Sequence, residues 1–193
     1  MELTEIISAV RQELPERRFA HTQRVVETAL ELAEIFGENR EKIKIAGYLH
    51  DYCKFWSADR LTEWIRKHQL PSELLDHNKE LWHGPVGAEV ARSQFGVQED
   101  DILDAIRYHT SGRPNMGLLE KIIFLADFVE PGRQFPGVER ARELVKQDLN
   151  EAMLYVLEHT IVFLIEKGQK VYPQTLYARN AYLEENKTSI KKG

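Results

Sequence analysis

Apolar residues recur at three- and four-residue spacing along nearly the whole chain, and no stretch alternates apolar and polar residues as a half-buried strand would. Glycines and prolines cut this pattern into segments. The fold class this predicts is all-α: a single compact bundle of roughly eight to ten helices. A short helix is expected over residues 4–14, ending at Pro15. A longer one covers 16–36, closed by Gly37. The next runs from 40 to about 52. Ser57 reads as an N-cap for the segment carrying Leu61, Trp64 and Ile65, which Pro71 ends. Residues 72–77 form a short helix and a connection. Pro85 suits the first turn of a helix that Gly96 stops. Asp100 or Asp101 opens another, and residues 110–115 are a loop. Further helices are expected over 118–130, over 138–146, from a cap at Asp148 to Gly168, and over about 176–186. Residues 187–193 are polar and expected to fray.

Three polar residues interrupt the apolar stripes on their buried side. The stripe Val25, Ala29, Leu32, Phe36 extends one turn backwards onto His21. The stripe Ile102, Ala105, Ile106 continues to His109, and Asp127 lies four residues after Ile123. A lone histidine on an apolar face is ordinarily a satisfied core residue. A buried unpaired carboxylate costs several kcal/mol, roughly, and needs a cation or donors. His50 and Asp51 stand side by side at the end of another apolar run, and His83 sits at a helix mouth. A metal centre accounts for these groups together. Imidazole and carboxylate ligands without thiolate favour iron, manganese or magnesium over a cysteine-type zinc site.

The bulk numbers narrow the partners. The 193 residues can bury one sizeable core, and the formal net charge of −5 argues against a nucleic-acid polymer held by a basic field. Cys53 is the single cysteine, so a reducing compartment fits. The first ten residues have no basic n-region, and no apolar run approaches a membrane span. A cytoplasmic protein is expected. An isologous homodimer is the default for such a chain on base rates.

His21, then His50-Asp51, then Asp127 resembles the H…HD…D signature of the HD-domain superfamily of metal-dependent phosphohydrolases. His50 follows His21 by 29 residues and Asp127 follows Asp51 by 76, and both spacings suit that family. Within it the chain is similar to the bacterial symmetrical diadenosine tetraphosphate hydrolases. The stretches that carry this are Arg18-Phe19-Ala20-His21-Thr22, Tyr48-Leu49-His50-Asp51-Tyr52-Cys53-Lys54, His83-Gly84-Pro85-Val86-Gly87-Ala88 and His109-Thr110-Ser111-Gly112-Arg113-Pro114. Residues 121–138, with Ala126-Asp127-Phe128-Val129-Glu130-Pro131-Gly132-Arg133, and Tyr172-Pro173-Gln174-Thr175-Leu176 complete them. The chain departs from the cyclic-dinucleotide phosphodiesterases of HD type, which carry His-His-Glu where it has Tyr108-His109-Thr110 and Gly-Tyr-Pro where it has Gly112-Arg113-Pro114.

The resemblance implies a single HD domain over 1–193, with a metal-binding core at about 16–130 and C-terminal helices at about 138–186 completing a nucleotide pocket. It implies a divalent ion on His21, His50, Asp51 and Asp127, iron first, with manganese, cobalt or magnesium as alternatives. A second ion would take Asp51, His83 and His109; with one ion, His83 and His109 contact phosphate or pass a proton. The substrate implied is a dinucleoside polyphosphate or another purine nucleotide, cleaved between the middle phosphates of diadenosine tetraphosphate to give two ADP. Lys54, one turn beyond His50 and Asp51, is placed to neutralise phosphate. Thr110 and Ser111 offer hydroxyls or backbone N–H groups, and Arg133 can fork onto a phosphate across the Pro-Gly turn. Arg18 stands near His21 on a different helix face and is a weaker phosphate candidate. The stretch Tyr172, Pro173, Gln174, Thr175 and Leu176 is read as non-helical and as lining a base pocket. Two other readings remain open: an HD-type nucleotidase acting on a guanine nucleotide, and a nucleotide-binding regulator that keeps its metal without turnover. Cys53 has no base beside it to make it a nucleophile. His68, His77 and His159 have no evident partners, and the three tryptophans read as core or rim aromatics.

Overall fold

The structure is a computed structural model that describes residues 2–190. Among these there are ten α-helices, two short 3-10 helices and no strand. The helices are α1 (Leu3–Glu13), α2 (Glu16–Phe36), α3 (Arg40–Leu49), α4 (Ala58–Lys67), α5 (His83–Gln94), α6 (Asp100–Tyr108), α7 (Leu118–Val129), α8 (Val138–Leu144), α9 (Leu149–Glu166) and α10 (Pro173–Ile190). The 3-10 segments, Ser72–Asp76 and Lys79–Leu81, lie between α4 and α5.

α7 is the centre of the bundle. Leu119, Ile122, Ile123, Phe124, Leu125, Ala126 and Val129 are all buried, so this helix buries apolar residues around most of its circumference. A helix with that pattern has to be surrounded, and α2, α3, α6, α8 and α9 pack on it. Side-chain caps close the helix starts where the sequence placed them: Ser57 Oγ accepts from Arg60 N–H at 3.2 Å, and Asp148 Oδ1 accepts from Asn150 and Glu151.

Two glycines let helices approach closely enough to assemble a site. A Cβ on Gly47 of α3 would lie 2.8 Å from Val26 Cγ2 of α2. A Cβ on Gly84 of α5 would lie 2.9 Å from the Arg107 carbonyl oxygen of α6. The absent side chains bring α3 against α2 and α5 against α6 at the level of the buried histidines.

Three expectations need correction. α3 ends at Leu49 rather than near residue 52: His50 caps it, and the chain then turns through i→i+3 bonds, Tyr52 N–H to Leu49 O and Lys54 N–H to Asp51 O. Residues 173–176 are not a non-helical connection but the first turn of α10, because the fixed φ of Pro173 is preorganised for a first helical turn. The expected stripe of α9 is buried only in its first half. Of the periodic residues Met153, Val156, Leu157, Thr160, Ile161, Leu164 and Ile165, the first three are in the core, Thr160, Ile161 and Leu164 are half-buried and Ile165 is 63 % exposed; Val162 and Phe163, off that stripe, are 53 % and 49 % exposed. The helix overruns the bundle at its C-terminal end and no described element covers that part.

Candidate metal centre

His21 on α2, His50 and Asp51 at the end of α3, His83 at the start of α5, His109 just past α6 and Asp127 on α7 converge inside the bundle. His50 and Asp51 have no exposed surface, and His21, His83 and His109 are buried. The two oxygens of Asp51 face different histidines. Oδ2 lies 3.1 Å from His50 Nε2 and 3.7 Å from His21 Nε2; Oδ1 lies 3.1 Å from His83 Nε2 and 3.8 Å from His109 Nε2. His21 Nε2 is 3.0 Å from Asp127 Oδ1, and the Nε2 atoms of His83 and His109 are 3.0 Å apart. The turn after Leu49 makes this arrangement, since it swings Asp51 back beside its neighbour His50 instead of continuing the helix.

The outer nitrogens fix the tautomers. His50 Nδ1 is 2.6 Å from the Gly47 carbonyl, His109 Nδ1 is 2.8 Å from the Ile106 carbonyl, and His21 Nδ1 is 3.0 Å from Glu130 Oε1. Each acceptor takes the Nδ1 proton and leaves an Nε2 lone pair aimed at the centre. His83 differs, because its Nδ1 is buried without a hydrogen-bond partner.

Burial and mutual charge set the protonation states. Burial opposes the charge on His50, but the Asp51 carboxylate outweighs it and raises the pKa. Burial likewise opposes ionisation of Asp51, yet His50, His109 and His83 hold it well below the usual carboxylate range. Asp127 is also held well below, against burial, by the adjoining His21 imidazole and the charge of Arg133. Burial pushes His83 down to about 4, so its imidazole is neutral at neutral pH.

A divalent cation fits this donor set. His21 Nε2, His50 Nε2 and Asp51 Oδ1 are buried without hydrogen-bond partners, a costly state unless something binds them. His21, His50 and Asp127 each offer a ligand atom, all within 4.8 Å of one another, and so do His50, Asp51 and His109. The donors are imidazole and carboxylate throughout.

The remaining candidates lie around this centre. Arg18 bonds Asp51 directly, which corrects its expected placement: three residues apart on a helix is one face, so Arg18 and His21 point the same way. Lys54 pairs with Glu80 at 2.7 Å, and its charge reaches His83. Thr110 Oγ1 is buried and unpartnered, whereas Ser111 donates to the Gly112 carbonyl. Arg133 donates to the Asp127 carbonyl at 2.9 Å and to Asp127 Oδ1 at 2.6 Å. Tyr172 and Thr175 line a cavity of about 350 Å³ together with Thr110, Leu81, Thr160 and Phe163. Gln174 lines a smaller neighbouring cavity that Tyr172 and Ser111 share. Leu176 is exposed and lines neither, and Pro173 starts α10.

Glu130 was missed by sequence reasoning. It is buried, holds His21 through Nδ1, accepts from Arg24 Nε at 2.5 Å and takes the Gly132 N–H at 2.6 Å. Its signal was its position three residues after Asp127, as Arg24 stands three after His21. The histidines thought partnerless do have partners: His68 stacks on Trp64, His77 meets Tyr172 edge-on, and His159 packs with Phe128 and Phe135.

An all-helical bundle with histidines and aspartates from five segments around one buried centre defines the HD class. Residues 18–132 match the HD domain family, and the chain belongs to it. It is similar to the symmetrical bis(5'-nucleosyl)-tetraphosphatase of Bacillus subtilis, at 49 % identity over 93 % of this chain and 97 % of that one. The protein of the same name from Halalkalibacterium halodurans is 46 % identical over 94 % of this chain and 97 % of its own. A crystal structure from Clostridium acetobutylicum, described as a predicted HD superfamily hydrolase involved in NAD metabolism, superposes with a TM-score of 0.92. It is 38 % identical, and the match covers 96 % of this chain and 98 % of that one.

Proposed function

We propose that this protein is a metal-dependent hydrolase that cleaves diadenosine tetraphosphate symmetrically to two ADP. The observation that carries the reading is the set of buried, unpartnered donor atoms on His21, His50 and Asp51 beside Asp127, in a chain whose relatives bear that activity's name. His21, His50, Asp51 and Asp127 hold the ion; iron is the ion proposed, on the chemistry of an imidazole and carboxylate set. Bound there, a divalent ion supplies Lewis acidity, which lowers the pKa of a water and polarises phosphate oxygens.

The chain's own groups do the rest. Asp51 and Asp127 stay ionised and balance the cation. Arg133 and Arg18, now spent on Asp127 and Asp51, swing to phosphate oxygens once an ion takes those carboxylates. Lys54 adds charge beside His83. Tyr172 and Thr175, near the start of α10, line a cavity together with Thr110, the chain neighbour of His109, and this cavity takes a nucleoside. The core at 16–130 and the C-terminal helices thus act as one domain. The neutral His83 offers an N–H to phosphate. It is a poor second-ion ligand, because metal-ligating imidazoles have their other nitrogen held and His83 Nδ1 is not. We therefore assign one ion per chain. The free, buried Cys53 fits a reducing cytoplasm, no helix among the described residues is long and apolar enough to cross a membrane, and a homodimer is the assembly proposed.

Protein loaded with iron or manganese should convert diadenosine tetraphosphate to ADP alone. AMP plus ATP as products, or His50→Ala and Asp51→Ala variants as active as the parent, would overturn the reading. A nucleotide panel that includes guanine nucleotides separates it from the nucleotidase alternative.

A further inference from the structure

A symmetrical dinucleotide has two bases, and the cavity beside Tyr172 holds one. On the other flank of α9 lies a larger cavity, about 700 Å³, lined by Asp127, Phe128, Arg133, Phe135, His159 and Phe163 among others. The two cavities share Thr160 and Phe163, one turn apart on one face of α9. The larger is lined by Asp127, a candidate ligand, and the smaller by Thr110, the chain neighbour of His109. α9 is therefore a ridge with one cavity on each side and the reacting centre at its foot.

The larger cavity is built of aromatic rings in contact. Phe128 and Phe135 have centroids 4.9 Å apart, and His159 lies 5.4 Å from each, nearly parallel to Phe135. Phe128, Phe135 and His159 are only half-buried, and Phe163 is 49 % exposed. Rings held together yet left open toward a cavity of this size suit a planar ligand. At the inner end Arg133 supplies the cation that a phosphate beside that ligand needs.

We infer that this cavity binds the second nucleoside of the substrate, its base against Phe135 and His159, so that the polyphosphate crosses the foot of α9 from one cavity to the other. This rests on the dinucleotide activity proposed above and extends it. A further cleft, lined by Arg17, Arg18, Arg24, Arg133 and Phe55 among others, is another candidate. Its guanidinium-rich lining, in which Phe55 is the one ring besides the candidate ligand His21, suits phosphate groups better than a base.

The test compares Phe135→Ala with the parent, both metal-loaded, on diadenosine tetraphosphate and on adenosine tetraphosphate, which has one base. Phe135 lies in the α7–α8 connection outside the core, so the variant should fold. The expected result is a fall of about tenfold in kcat/KM on the dinucleotide, corresponding to about 1.4 kcal/mol. The one-base substrate should change less than twofold, and Phe135→Tyr should restore the dinucleotide rate. Calorimetry should find two ADP per chain in the parent and one in Phe135→Ala. Equal losses on both substrates, an unchanged dinucleotide rate, or one ADP per chain in the parent would overturn the inference. If the parent itself makes no ADP from diadenosine tetraphosphate, the activity reading fails instead, and the calorimetric count still judges the cavity.

Discussion

Glu130 Oε1 lies 3.0 Å from His21 Nδ1, and through this contact a residue outside the ligand set aims a ligand. Burial opposes ionisation of Glu130, yet Arg24, the Gly132 N–H and His21 hold its pKa down, so it meets the imidazole as a carboxylate. Losing such a partner typically costs about 10–100-fold in metal affinity or activity. Glu130→Ala should therefore bind its ion about 10–100-fold more weakly in a chelator competition. Glu130→Gln, which keeps an acceptor, should lose less.

His83 and His21 should respond differently to truncation. Metal analysis of the parent should give one ion per chain, and His83→Ala should retain it while kcat/KM falls by about 100-fold or more, an order expected for a group acting on the reacting phosphate. His21→Ala should lose the ion. Two ions in the parent and one in His83→Ala would instead make His83 a ligand.

Metal retention should depend on pH with a defined sign. In the metal-free protein the Asp51 carboxylate raises the pKa of His50 above the ordinary imidazole range, so a proton competes for Nε2 at pH values where a free imidazole is already empty. Asp51 and Asp127 are held low and stay ionised. Apparent affinity should rise by about tenfold per pH unit below the His50 pKa, as one proton is displaced per ion, and level off above it. A titration with a fluorescent metal competitor from pH 5.5 to 8.5, roughly the span around neutrality where imidazole titrates, measures the slope.

Gly84→Ala tests the close crossing of α5 and α6. The new Cβ would meet the Arg107 carbonyl at 2.9 Å, and a backbone atom inside a helix cannot step aside. A loss of about 1–3 kcal/mol in stability is expected, read as a lower denaturant midpoint. Activity should fall further than stability, because α5 would carry His83 away from His109.

Cys53 should be inert in the native protein. It is fully buried, and burial pushes its thiol pKa up. Ellman's reagent should label no thiol at pH 8 without denaturant and one per chain after unfolding; rapid native labelling would contradict the buried placement.

Much of this molecule can be read from the order of its residues. Helical periodicity with Gly and Pro breaks gave the all-α class and most helix limits, because those signals are local. The same periodicity put His21, His109 and Asp127 on buried faces, and buried polar groups need partners. Other features depended on contacts between distant segments. That Arg24 and Glu130 belong to the site follows from α2 lying against the end of α7. The stripe of α9 read as core because its spacing is helical throughout, but how far a helix extends past its bundle is set by the lengths of its neighbours. The chain alone determined which side chains face inward and what chemistry they offer. The tertiary structure decided which of them meet, how Asp51 divides its two oxygens, and that α9 stands between two cavities at the same centre, since distances between segments are fixed by packing and not by sequence spacing.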